Sequence, residues 1–177
     1  VTDGNGCTNT LDITAPNCSC PVVNAPTSGG NKQVCLGGTN PALEVTVGAG
    51  ETADWYDVAT GGTAISMGST SFTSTESATG TYTYYAETRN TTTSCVSSAR
   101  TEVTLTINAL PTVTFEAITP VCVDASAFDL TQGNPTGGTY SGTGITTSPE
   151  FDPSVAGVGT HTLTYTYTDG NSCTNTA

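Results

Sequence analysis

Chemistry in this chain has few residue types to work with. There is one histidine, His161, one tryptophan, Trp55, and seven cysteines: Cys7, Cys18, Cys20, Cys35, Cys95, Cys122 and Cys173. His161 falls inside an alternating Thr-rich run, where a solvent-facing side chain is expected, and no serine-nucleophile motif or glycine-rich phosphate loop accompanies it. Asp54 and Asp57 flank an aromatic strand, but a spacing of three sends their side chains to opposite faces, which is wrong for joint acid–base work. Zinc needs four thiolate or imidazole ligands. Only Cys18-Ser19-Cys20 is closely spaced, without a second pair or a nearby histidine. The cysteines therefore read as disulfides, and the chain reads as no enzyme.

The cysteine count makes sense once a repeat is seen. Thr2-Asp3-Gly4-Asn5-Gly6-Cys7-Thr8-Asn9-Thr10 returns as Thr168-Asp169-Gly170-Asn171-Ser172-Cys173-Thr174-Asn175-Thr176, with only Gly6 and Ser172 different. Near-identity at this distance is expected of a window slightly longer than one period of a tandem array. Cys7 and Cys173 are then equivalent, each period holds six cysteines, and all can pair. An even count in a lysine-poor chain points to an oxidising, extracellular setting. Val1 does not begin a signal peptide, and export signals are expected outside this window.

The elements that must position these residues are strands. Apolar residues make up 35% and charged residues 10%, with Thr, Val and Tyr for strands and Gly, Pro and Asn for turns. Three basic residues (Lys32, Arg89, Arg100) against fifteen acidic ones give a formal charge of −12. Such a surface repels nucleic acid and anionic lipid, and no run is long enough to span a membrane.

Strand candidates lie at 33–36, 42–47, 52–57, 63–66, 80–87, 102–108, 112–118, 128–130, 138–141 and 160–168. The fold class expected is all-β, with two tandem Ig-like sandwiches forming one period of the array. Residues 1–20 are assigned to the last strand of a preceding domain plus a linker. An Ig-like domain follows at 21–109, then a second at 110–177 that lacks its final strand. Either the polypeptide continues, or a neighbouring subunit donates that strand and so polymerises.

Each domain carries a cysteine near its second strand and another after a Tyr/Thr-rich strand. This favours Cys35–Cys95 and Cys122–Cys173, each contributing roughly 4 kcal/mol in the chain-entropy model. A conventional sandwich order would separate the first pair to opposite poles, so bridges between domains remain open. Cys18 and Cys20 are open to pairing with each other in a tight ring or with another chain, and Cys7 belongs to the preceding repeat. If Cys122 bonds Cys173, then Asp124 approaches Asp169 and Asn171, a set of oxygens suited to calcium; ordinary turn chemistry explains the same residues. Trp55 is either a sugar-binding platform or, as is commoner on the third strand of such sandwiches, core. Lys32, the sole lysine, lies in a Gly/Asn-rich loop, which disfavours isopeptide stapling.

Asp54-Trp55-Tyr56-Asp57, Thr60-Gly61-Gly62-Thr63 and Tyr82-Thr83-Tyr84-Tyr85-Ala86-Glu87 resemble the Ig-like repeats of large secreted Bacteroidota proteins. Gly137-Gly138-Thr139-Tyr140, Phe151-Asp152-Pro153, Gly157-Val158-Gly159-Thr160-His161 and Tyr165-Thr166-Tyr167-Thr168-Asp169-Gly170-Asn171 resemble their companion PKD-like repeats. The resemblance implies export by the type IX system. It also implies a non-enzymatic structural or adhesive repeat of an extracellular filament or giant surface adhesin. The alternatives are a carbohydrate-binding or spacer module of a secreted glycan-degrading enzyme, and a filament subunit polymerised by strand donation. Expected partners are neighbouring repeats or identical subunits, and surface glycans.

Overall fold

The computed structural model describes residues 20–177, so the expectation of a strand within 1–20 lies almost entirely outside the described residues. The first part of the chain forms β1 (Thr27–Ser28), β2 (Lys32–Cys35), β3 (Leu43–Thr46), β4 (Glu51–Tyr56), β5 (Ser71–Phe72), β6 (Gly80–Asn90) and β7 (Thr101–Asn108). The rest forms β8 (Thr114–Phe115), β9 (Phe128–Asp129), β10 (Gly133–Asn134), β11 (Thr139–Gly142), β12 (Ile145–Thr147), β13 (Glu150–Phe151), α1 (Pro153–Ala156), β14 (Leu163–Thr168) and β15 (Thr174–Thr176). Apart from one four-residue helix the described chain is all-β.

A four-stranded sheet, β2-β7-β6-β4, faces a three-stranded sheet, β1-β3-β5. Period-2 alternation decides which side chains lie between them. Val103, Leu105 and Ile107 of β7 are buried, as are Tyr84 and Ala86 of β6, Ala53 and Trp55 of β4, and Leu43 and Val45 of β3. The segment predicted as a strand at 63–66 makes only a single bridge, Trp55 to Ser66. Its one large apolar residue, Ile65, is exposed, so the segment buries little surface to hold a longer ladder.

A second, separate core lies between the small sheets of the later segment. Its buried members are Leu130, Tyr140, Phe151 and Tyr165. Tyr165 determines the glycines around it: a Cβ on Gly133 would lie 2.6 Å from its ring, and one on Gly138 would collide with the same ring. The Tyr165 hydroxyl donates to Pro135 O and accepts from Gly138 N, while the Tyr140 hydroxyl accepts from Gly133 N at 2.8 Å. The Phe-Asp-Pro motif is a helix start. Phe151 packs inward, Asp152 caps the helix by accepting from Ser154 N at 2.8 Å, and Pro153 takes the first turn.

Candidate functional site

The covalent links differ from the expected ones. Cys20 bonds Cys95 and Cys35 bonds Cys173, while Cys122 is exposed and has no partner among the described residues. The expected Cys35–Cys95 bridge fails on geometry. Cys35 ends β2, which runs parallel to β7 and stands opposite Asn108 at the far end of that strand. Cys95 lies in the β6–β7 loop, before β7 begins at Thr101. Seven residues of strand, about 23 Å, separate the two poles, whereas a disulfide needs Cα atoms within about 7 Å. Cys35 is at the pole where the chain leaves for the second core, and Cys173 meets it there. The expected Cys122–Cys173 bridge is replaced because Cys173 is bonded to Cys35, and Cys20, bonded to Cys95, is not free to pair with Cys18.

The two bridges interleave along the sequence (20–95 and 35–173) and close loops with separations of 75 and 138 residues. Each loop on its own corresponds to about 4–5 kcal/mol of stabilisation in the chain-entropy model. A hydrogen bond supports the junction: Asn175 Nδ2 donates to Pro111 O at 2.9 Å, seating the β14–β15 hairpin on the connector after β7.

The premise of the calcium site is therefore missing. Asp169 Oδ1 accepts from Asn171 N and Cys173 N, both at 2.9 Å, which is the turn chemistry that competed with metal binding. Among the described residues no group of three or more His, Cys, Asp or Glu side chains is placed to hold a metal ion. Trp55 is fully buried and its Nε1 donates to Ser69 O at 2.9 Å, so it is core and presents no ring to a sugar. His161 precedes β14 rather than lying within a strand, and its Nε2 is 3.1 Å from Gly157 O.

Asp54 has a different role from any weighed in the sequence. It is buried, and its carboxylate accepts from Arg89 Nε at 2.7 Å, Arg89 Nη2 at 3.1 Å and Gly68 N at 2.8 Å. Burial raises its pKa, but the Arg89 fork, the Gly68 amide and the Arg89 charge together outweigh burial and hold it below the ordinary carboxylate range. Arg100 lies over the Tyr56 ring, 3.2 Å from its centroid, and pairs with Glu87 at 3.3 Å. Its Nη1 donates to Val58 O and Gly61 O at 2.8 Å each, which fixes the Thr-Gly-Gly turn. The Tyr56 hydroxyl donates to Glu87 at 3.1 Å. Sequence reading missed both clusters. The available signal was scarcity: with two arginines among fifteen acids, each arginine inside or beside a strand invites a specific partner.

These features define an all-β, Ig-like module, a class that is generally structural or adhesive rather than catalytic. Residues 23–108 match the family model described as "Ig-like domain CHU_C associated", which bears out the resemblance of this segment to Ig-like repeats. The solution structure of the PKD domain (329–428) from human KIAA0319 is similar at 12% identity and a TM-score of 0.38, over 57% of this chain and 93% of that one. No curated protein matches the chain. The family match and the disulfides point to an extracellular protein. Among the described residues no helix is long and apolar enough to cross a membrane.

Proposed function

We propose that this chain is a tension-bearing repeat of an extracellular bacterial filament or giant surface adhesin, built as two modules, about 21–109 and 110–177, in series. The observation that carries this reading is the Cys35–Cys173 bond, which joins the exit pole of the first core to the last hairpin of the second. A string under load gains from such a bond, because its connector is otherwise a few residues of unpaired chain. The formal charge of −12 keeps neighbouring strings apart, and multiplicity lets weak contacts act with avidity. Trp55 is buried, so the sugar platform weighed for that residue is not available. Electron micrographs of the native protein test the proposal: long, uniform strings are expected, and isolated compact particles would overturn it.

A further inference from the structure

We infer that the groove around Cys122 receives a strand, Leu11–Cys18, from the next copy of this repeat, and that a Cys18–Cys122 disulfide locks it. The inference rests on the repeat-string reading above and names its interlock.

Cysteine accounting isolates the pair. Cys20 and Cys95 are joined, as are Cys35 and Cys173. Cys7 is the sequence equivalent of Cys173, which on the repeat reading assigns it to the Cys35 of the preceding copy. Each period is then left with one Cys18 and one Cys122 (Cys7, Cys18 and Cys122 minus Cys7).

The sheet register brings the two together. β15 runs antiparallel to β14, with Thr168 opposite Thr174 and Thr166 opposite Thr176. Tyr165 N and Ala177 N each donate to the other residue's carbonyl, at 2.9 and 3.0 Å. Ala177 is equivalent to Leu11, because Thr176 is equivalent to Thr10. Continuing that ladder places Leu11 opposite buried Tyr165, Ile13 opposite Leu163 and Ala15 opposite His161, all on the core side by period-2 alternation. Leu163 and His161 line an open groove of about 780 Å³ whose other walls include Val121, Cys122, Val123 and Val158. The groove's apolar side chains have no cover among the described residues: Val158 is 91% exposed, Val121 44% and Val123 42%. Pro16 has no N–H to extend such a ladder and stands two residues before Cys18 in the sequence. The occupant's pattern, apolar at 11 and 13, cysteine at 18, fits a half-paired β14 edge beside a free thiol.

The bond forms by two thiol–disulfide exchanges with a small disulfide oxidant of the extracellular compartment. The thiolate of one cysteine attacks the donor and releases one thiolate; the other cysteine then displaces the second. Two protons and two electrons leave the protein thiols, and the donor becomes two thiols.

A two-copy chain tests this, with Thr176 of the first copy followed directly by residues 11–177 of a second. Cys7→Ser and Cys18→Ser in the first copy, and Cys122→Ser in the second, leave one unassigned thiol on each side. After folding in a glutathione redox buffer, unreduced peptides are mapped by mass spectrometry. The expected result is a Cys122–Cys18 link between copies, alongside Cys20–Cys95 and Cys35–Cys173 in each. Leu11→Thr with Ile13→Thr in the second copy should lower the equilibrium constant for that link about a hundredfold, since two apolar side chains lose their burial. Recovery of Cys122 as an alkylated thiol, or a link indifferent to those two substitutions, overturns the inference. X-ray scattering separates it from the string reading. A linked but folded-back pair refutes only the string, and an extended pair without the link refutes only the lock.

Discussion

Load applied between Cys20 and Cys173 has a short covalent route. From Cys20 to Cys35 the chain spans 15 residues (35 − 20), and the second disulfide carries tension from there directly to Cys173. The peptide route spans 153 residues (173 − 20), and the route through Cys95 still leaves 78 (173 − 95). A fully extended chain reaches at most ~3.3–3.6 Å per residue, so an oxidised repeat can pay out only about 50 Å before the covalent frame is taut. Reduction frees the remaining 138 residues (153 − 15), about 450–500 Å more. The path is also loaded in shear: Cys95 anchors the entry near the start of β7, while tension on Cys35 pulls the parallel strand β2 toward the other end. The paired residues from Lys32 to Cys35 then resist together rather than opening one at a time. Single-molecule force extension with handles at the two ends of the chain, with and without reductant, reads both quantities. Oxidised repeats releasing several hundred ångströms in one event would refute the load path, and with it the mechanical reading of the bridges.

Replacing Arg89 with Met should lower stability by about 2–3 kcal/mol in urea unfolding, because Asp54 is then buried without its cation; the figure is discounted because the Arg89 side chain is 26% exposed. Arg89→Lys should recover part of the loss, since an ammonium cannot match the two-pronged contact. Acid should weaken the fold in a defined window. Asp54 titrates below its unfolded value, so its contribution is complete above about pH 4 and disappears as pH falls through the folded value; urea midpoints should drop below that pH, and Asp54→Asn should flatten the drop. Gly133→Ala should cost about 1–3 kcal/mol by thermal melting, its Cβ lying 2.6 Å from the Tyr165 ring, whereas Gly170→Ala, with nothing within 4 Å, should be close to neutral.

The strands that were legible in the sequence are those whose alternation matches burial. Thr101–Asn108 was expected at 102–108 with Val103, Leu105 and Ile107 on one side, and those three are buried. The Tyr-rich strand of the second core was expected at 160–168 and spans Leu163–Thr168, because Thr160 and His161 line an open groove and pair with no neighbouring strand. Short strands such as Gly133–Asn134 and Glu150–Phe151 carry too few residues to show a period. Trp55 was legible as core from its place among the strands. The Asp54–Arg89 pair was not, since the two residues meet diagonally across β4 and β6 and that register is set by tertiary packing. Disulfide pairing failed for a related reason. Two cysteines in similar places within two segments look like two internal bridges; a conventional sandwich order raised the opposite-pole alternative, and the parallel pairing of β2 with β7 decides for it by placing Cys35 at the pole away from Cys95.

The sizes of the two cores give a bridge between them a mechanical consequence. The first core buries nine side chains across two sheets, including Trp55 and three large aliphatics of β7. The second buries four, three of them aromatic, in sheets of two and three strands. Burial scales with size, so a core that small supplies little beyond the entropy of ordering its own loops. In a series of modules the weakest one sets the length released under load. Because Cys173 closes the final turn of the weaker core, bonding it to Cys35 on the stronger one removes that core from the path of tension. On the proposed string reading, the smaller core can then remain marginal without the repeat lengthening, provided the stronger sheet holds.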